Sequence, residues 1–167
     1  NNNLGYQGII ALIGGLEKNT GIKILNISSN NIGIEGGVTV SRLLDNNNMI
    51  VSLNVASNQL EDIGAAHILD AASQKGVVQQ INLANNGITD ALAEDIEDIL
   101  ASSTSSFVLD LSNNKFSNVK ELAIEKLIFS TTDNKTQSLL NDHSLNGLDF
   151  NLELFAEIQD INNFGEL

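Results

Sequence analysis

Cysteine, proline and tryptophan are absent from this chain of 167 residues, and arginine occurs once, as Arg42. Without cysteine there is no disulfide, no thiolate metal site and no thiol nucleophile. Positive charge is scarce: 8 Lys and Arg stand against 21 Asp and Glu, for a net charge of −13. Nucleic-acid binding rests on Lys and Arg neutralising phosphates, and anionic membrane surfaces attract basic segments, so both partner classes are disfavoured. Long hydrophobic runs are missing too. A membrane span needs ~18 uninterrupted apolar residues, whereas Leu4–Leu16 is short and broken by Gly5, Gly8, Gly14 and Gly15. No basic start with a small-residue cleavage site marks a signal peptide.

What the chain does have is asparagine, 24 times, and a spelling that recurs. Ile22–Asn30, Ile50–Asn58, Val78–Asn86 and Ser106–Asn114 all read L-x-x-L-x-L-x-x-N with aliphatic substitutes, at a spacing of 28 residues. Two residues after each asparagine stands an apolar residue: Ile32, Leu60, Ile88 and Phe116. Self-similarity at such a period predicts a solenoid.

Between the spellings the apolar period changes. Ten residues after the asparagine come Leu12, Val40, Ile68, Ile96 and Ile124, and thirteen to fourteen after it Gly15/Leu16, Leu43/Leu44, Ala71/Ala72, Ile99/Leu100 and Leu127/Ile128. Steps of three and four mark one face of a helix. Each unit therefore reads as a short strand, a turn at Asn, a helix and a return loop. The expected fold is an α/β solenoid bent into an arc, with a parallel sheet on its concave side and helices on its convex side. Within one domain spanning 1–167 the units are a partial repeat over 1–21, repeats over 22–49, 50–77, 78–105 and 106–144, and a terminal repeat or cap over 145–167. The frame fails near Asp142 and resumes at Leu145, with Glu153 in the asparagine position, after an insertion near 130–144. It also reaches back to Asn2, 28 residues before Asn30. Two readings of that start stand: a piece of a longer protein, or a natural cap formed by a helix near Gln7–Lys18.

The strand residues alternate. Leu25, Ile27 and their equivalents point inward, leaving three outward columns. The central one is Asn26, Asn54, Asn82, Asp110 and Asp149; beside it run Ser28, Ala56, Ala84, Ser112 and Asn151, and Ile24, Ser52, Gln80, Val108 and Gly147. Asn30, Asn58, Asn86 and Asn114 read as structural. A buried turn has backbone groups that must be paired, and a carboxamide both donates and accepts. Replacing one should cost on the order of 1–3 kcal/mol.

The 28-residue period, the strand motif and a full helix in each unit resemble the ribonuclease-inhibitor class of leucine-rich repeats, over Asn2 to about Ile128 and again over Leu145–Phe155. The resemblance implies a protein-binding scaffold, not an enzyme, with no cofactor and no metal. The wealth of Asn and acids, without cysteine, is similar to the repeat effectors that intracellular bacteria such as Legionella export into host cells. It implies a cytoplasmic protein, or one delivered to a host cytosol. The missing cysteine removes the ubiquitin-ligase chemistry that some bacterial repeat proteins carry.

In this class binding usually uses the concave face, here Asn26, Ser28, Asn54, Gln80, Asn82, Asp110, Ser112 and Asp149. Two readings of that face stand. Asn26, Asn54 and Asn82 form a hydrogen-bonded ladder across the strands, or the face receives a peptide or protein, with Asp110 and Asp149 selecting a basic partner. Asp90, Glu94, Asp95, Glu97 and Asp98 lie on an expected helix, as a solvated face or a docking patch for a basic protein. Thr89 or Asp90 should cap that helix. The alternatives to a binding module are a GTPase-activating repeat, for which a lone arginine on a helix is a poor provision, and a structural segment that associates end to end through an exposed strand at Ile22–Ile27.

Overall fold

A computed structural model describes residues 2–103, 108–118 and 120, all within the unit Asn1–Thr131. The insertion, the terminal repeat, and Asp149 and Asn151 with it, lie outside the described residues. The elements follow the sequence period: α1 (Gly5–Leu16), β1 (Ile24–Asn26), α2 (Gly33–Asn46), β2 (Ser52–Asn54), α3 (Glu61–Lys75), β3 (Gln80–Asn82), a 3-10 turn (Asp90–Leu92), α4 (Ala93–Ser102) and β4 (Val108–Asp110). The strands pair in parallel in the order β1-β2-β3-β4. Their register joins Leu25 to Leu53, Leu53 to Ile81 and Ile81 to Leu109, so a step of 28 residues in sequence is one step across the sheet. The described repeats form a leucine-rich repeat solenoid.

The core is a set of columns, each fed by one position of the repeat. Leu25, Leu53, Ile81 and Leu109 supply the strand column, and Ile27, Val55 and Leu83 the next one inward. Ile32, Leu60 and Ile88 close the turn, and Val40, Ile68 and Ile96, with partly buried Leu12, come from the helices. Most of these side chains are fully buried and form one cluster. No unit can bury its own apolar stripe, and stacking does it for all of them.

Glycine marks a second regularity. Gly8, Gly36 and Gly64 share one repeat position. A Cβ on any of them would lie 2.9, 2.6 or 3.2 Å from the Cβ of the apolar residue four places earlier, Leu4, Ile32 or Leu60. In the next repeat Leu92 holds that position. There the first turn is a 3-10 turn, Leu92 is buried, and the α-helix starts at Ala93. A side chain at this position thus goes with a different opening to the helix. Helix α1 begins at Gly5 and ends at Leu16, two residues earlier at each end than the helix expected near Gln7–Lys18.

Candidate binding face and the asparagine ladder

Four asparagines at the same repeat position connect the turns. Asn30, Asn58 and Asn86 are 3%, 0% and 1% exposed, too little for water to serve their amides. The Oδ1 of Asn58 accepts from the backbone N–H of Asn30 at 2.9 Å, that of Asn86 from Asn58 at 2.9 Å, and that of Asn114 from Asn86 at 2.9 Å. Each Nδ2 donates back to the end of the previous strand: Asn58 to Ile27 O, Asn86 to Val55 O and Asn114 to Leu83 O, at 2.9, 3.1 and 3.1 Å. It donates as well to carbonyls of its own turn, as Asn58 does to Val55 O and Ala56 O. Asn30 continues the pattern by accepting from Asn2 N at 3.0 Å. One side chain therefore satisfies groups in two repeats, which is what a buried turn without a sheet partner requires.

The outward column behaves differently from the ladder reading. Asn26, Asn54 and Asn82 are neighbours by register, but their carboxamides turn back onto their own chain. Asn26 Oδ1 accepts from Ser28 N and Ser28 Oγ, Asn54 Oδ1 from Ala56 N, Asn82 Oδ1 from Ala84 N, and Asp110 Oδ1 from Ser112 N, at 2.9–3.1 Å. These are Asx turns, in which the side chain reaches a backbone N–H two residues on. The short Asn side chain meets that donor more readily than it spans the ~4.8 Å to the next strand. The cross-strand bond on this face belongs to the neighbouring column: Ser52 Oγ donates to Gln80 Oε1 at 2.8 Å, with both residues buried.

Exposure divides the face. Gln80 and Asn82 are 4% and 5% exposed, so two of the residues expected to meet a partner offer almost no surface. Both belong to a strand flanked on each side, and the Asn82 side chain is folded against its own turn. Asn26 and Ser112 are exposed, and Ser28, Asn54 and Asp110 are half-buried. Ile24, on β1, is 47% exposed, and β1 pairs with β2 alone among the described strands.

The acids from Asp90 to Asp98 differ in exposure and in what they contact. Glu94, Asp95 and Asp98 are exposed on α4, Glu97 is half-buried, and Ile96 and Leu100 on the same helix are buried. Glu94 lies 3.9 Å from Lys120 Nζ but is 86% exposed, an arrangement worth little in water. Asp90 sits on the 3-10 turn, and its Oδ1 accepts from Ser117 N at 2.8 Å, 27 residues on. Asp62, one repeat earlier, accepts from Thr89 N at 2.7 Å and from Thr89 Oγ1 at 2.8 Å. Thr89 in turn caps the 3-10 turn by accepting from Ala91 N. Two of the acids thus join successive repeats. Sequence reading missed this pair; the clue was the same Asp at positions 62 and 90, one period apart.

Two measurements test these joints. Asp62→Ala leaves a half-buried backbone N–H and hydroxyl without their charged acceptor and should destabilise by about 1–2 kcal/mol, read in urea unfolding. Asp90 titrates below the ordinary 3.8, chiefly because the Ser117 N–H bonds its ionised form. A depressed carboxylate contributes stability above its unfolded value and loses it as pH falls through the folded value. The Asp90 carboxyl resonance should accordingly move with a midpoint below 3.8 in the folded chain and near 3.8 in urea; equal midpoints would refute the joint.

A second asparagine pair one period apart ties the return loops. Asn47 Nδ2 donates to Leu16 O at 3.0 Å and Asn19 O at 2.9 Å, while Asn19 Oδ1 accepts from Gly21 N and Ile22 N. Among the described residues no three His, Cys, Asp or Glu side chains gather to hold a metal ion, and no helix is long and apolar enough to cross a membrane. Arg42 lies exposed on α2.

Comparison with known proteins agrees with the geometry. Residues 18–41 and 46–69 match the Leucine Rich repeat family. No curated protein matches the chain, whereas 47 chains of solved structures do. One of them, Leiomodin-1 Actin-Binding Site 2, is similar over 83% of this chain and 80% of its own, with a TM-score of 0.66 and 20% identity.

Proposed function

We propose that this chain is a non-catalytic protein-interaction module, of the ribonuclease-inhibitor type, that receives its partner on the open part of the sheet face. The observation that carries the reading is the set of Asx turns. Asn26, Asn54 and Asp110 are held by bonds to their own backbone, so a partner meets ordered polar groups and little side-chain freedom is lost on binding. Exposed Ile24 at one margin adds an apolar anchor, and the half-buried Asp110 at the other favours a basic group. The net charge of −13 steers a basic protein toward the surface and raises its rate of encounter. That a similar solenoid, in leiomodin-1, is an actin-binding site makes actin the first purified protein to titrate. A cysteine-free chain rich in Asn and acids suits a cytoplasmic protein, or one that a bacterium delivers to a host cytosol.

The test is capture from cell lysates, then titration of the purified partner against two sets of variants. Asn26→Lys and Ser112→Arg place bulk and positive charge on the open face; Glu94→Lys and Asp98→Lys reverse the charge of α4. Binding through the face weakens by about tenfold or more, 1.4 kcal/mol, in the first set. The second set then alters only the dependence on salt. Unchanged affinity in both face variants would sink the reading.

A further inference from the structure

We propose that Asn86 is a latent deamidation site, held unreactive by the fold and released when the ladder opens. The sequence has two Asn-Gly pairs, Asn86-Gly87 and Asn146-Gly147, the second outside the described residues. In an Asn-Gly pair no side chain shields the following backbone nitrogen. That nitrogen, after giving its proton to hydroxide, attacks the asparagine Cγ. The bond from Cγ to Nδ2 breaks as Nδ2 takes a proton from water, which restores hydroxide, and ammonia leaves behind a five-membered succinimide. Water then opens either carbonyl of the ring, giving aspartate or isoaspartate.

In the folded chain the reacting carboxamide is pinned. Asn86 is 1% exposed. Its Nδ2 donates to Val55 O, Leu83 O and Ala84 O at 3.1, 3.0 and 3.2 Å, and its Oδ1 accepts from Asn58 N at 2.9 Å and Leu60 N at 3.4 Å. To swing Cγ onto Gly87 N breaks these bonds while burying the freed groups. The product cannot return to the ladder. A carboxylate has no hydrogen to give to three carbonyls, and isoaspartate adds a carbon to the main chain inside the turn.

The glycine is not demanded by the backbone. Gly87 has φ +79, but the equivalent Asn31 and Gln59 hold φ 55 and 59. The other ladder asparagines are followed by Asn31, Gln59 and Lys115. The labile pair therefore sits in one described repeat by choice of residue and not by geometry. Opening of that repeat, by heat or by force, becomes irreversible with time.

The experiment holds the full chain at mildly alkaline pH and 37 °C, in buffer and in concentrated urea, and follows the two Asn-Gly peptides by mass spectrometry with isoaspartate detection. In urea both pairs should react at similar rates. In buffer Asn86 should react slower by on the order of 10³-fold or more, the opened population of a stable domain. Gly87→Gln, which copies the second repeat, should slow the reaction at 86 in urea well below that at 146 and raise the fraction that refolds after the hold. Reaction of Asn86 in buffer as fast as in urea overturns the proposal, and so does a Gly87→Gln chain that recovers no better than the parent. Should that variant fail to fold, the comparison of buffer with urea on the unaltered chain decides alone.

Discussion

Asn58→Leu should destabilise the folded chain by about 3–5 kcal/mol, measured as a loss of urea midpoint with an unchanged slope. Asn58 is fully buried. Its side chain serves Asn30 N, Ile27 O, Val55 O and Ala56 O. Leucine fills the volume but leaves these groups unpaired beneath the surface, and each unpaired buried group costs on the order of 1–3 kcal/mol. The upper end of a simple sum is not reached, because neighbouring groups relax and losses within one network do not add. This exceeds the 1–3 kcal/mol expected from sequence, since one carboxamide turns out to serve two repeats. Asn114→Leu is the comparison. Asn114 is half-buried, so water can replace part of what is lost, and its effect should be smaller. Asn114 makes bonds between turns as well, so equal losses at both positions would mean that burial does not set the cost of losing them.

The strands, helices and core columns were legible because each follows from a period: alternation by two in the strand, by three and four in the helix, and by 28 between units. The ladder asparagines were legible for the same reason. The role of Asn26, Asn54 and Asn82 was not. Their spacing of one period fits both a cross-strand ladder and a row of local turns. What decides is reach, because the backbone N–H two residues on is nearer than the adjacent strand. Nor could exposure be read. Asn82 shares an outward column with Asn26, and Gln80 shares one with Ile24, yet Gln80 and Asn82 are buried while Asn26 and Ile24 are exposed. The return-loop pair Asn19 and Asn47 went unread although it too repeats at 28, because asparagine in a loop is usual and says little by itself.

The wealth of asparagine has a structural account. The residues before the ladder asparagines, Ser29, Ser57, Asn85 and Asn113, all have positive φ, between 53 and 57, and Asn3 and Asn31 have φ 49 and 55. Asparagine tolerates that region better than most side chains. Add the ladder, the Asx turns and the return loops, and the described repeats give most of their asparagines a backbone to serve. Part of the asparagine content thus serves the turns themselves, although Ser29, Ser57 and Gln59 hold the same region in other repeats.

Gly37→Ala should lower stability by about 1–2 kcal/mol, although alanine in a helix interior ordinarily gains up to about 1 kcal/mol over glycine. The reason lies across the helix pair. A Cβ on Gly37 would stand 2.8 Å from Gly64 Cα and 3.0 Å from Gly64 O. Both are backbone atoms and cannot rotate away, so α2 and α3 must separate. Their contact is the most extensive between helices in the described chain, and overpacking of this kind costs about 1–3 kcal/mol before the helical gain is subtracted. Gly37→Val, which adds two methyl groups and recovers less propensity, should lose about 2–3 kcal/mol. Gly14→Ala provides the opposite sign. It lies inside α1, and a Cβ there meets nothing within 4 Å, so the propensity term should stand alone and stabilise by about 0.5–1 kcal/mol. Thermal unfolding of the three variants separates the effects. If Gly37→Ala and Gly14→Ala both raise the midpoint, close approach of the helices does not govern how these repeats stack.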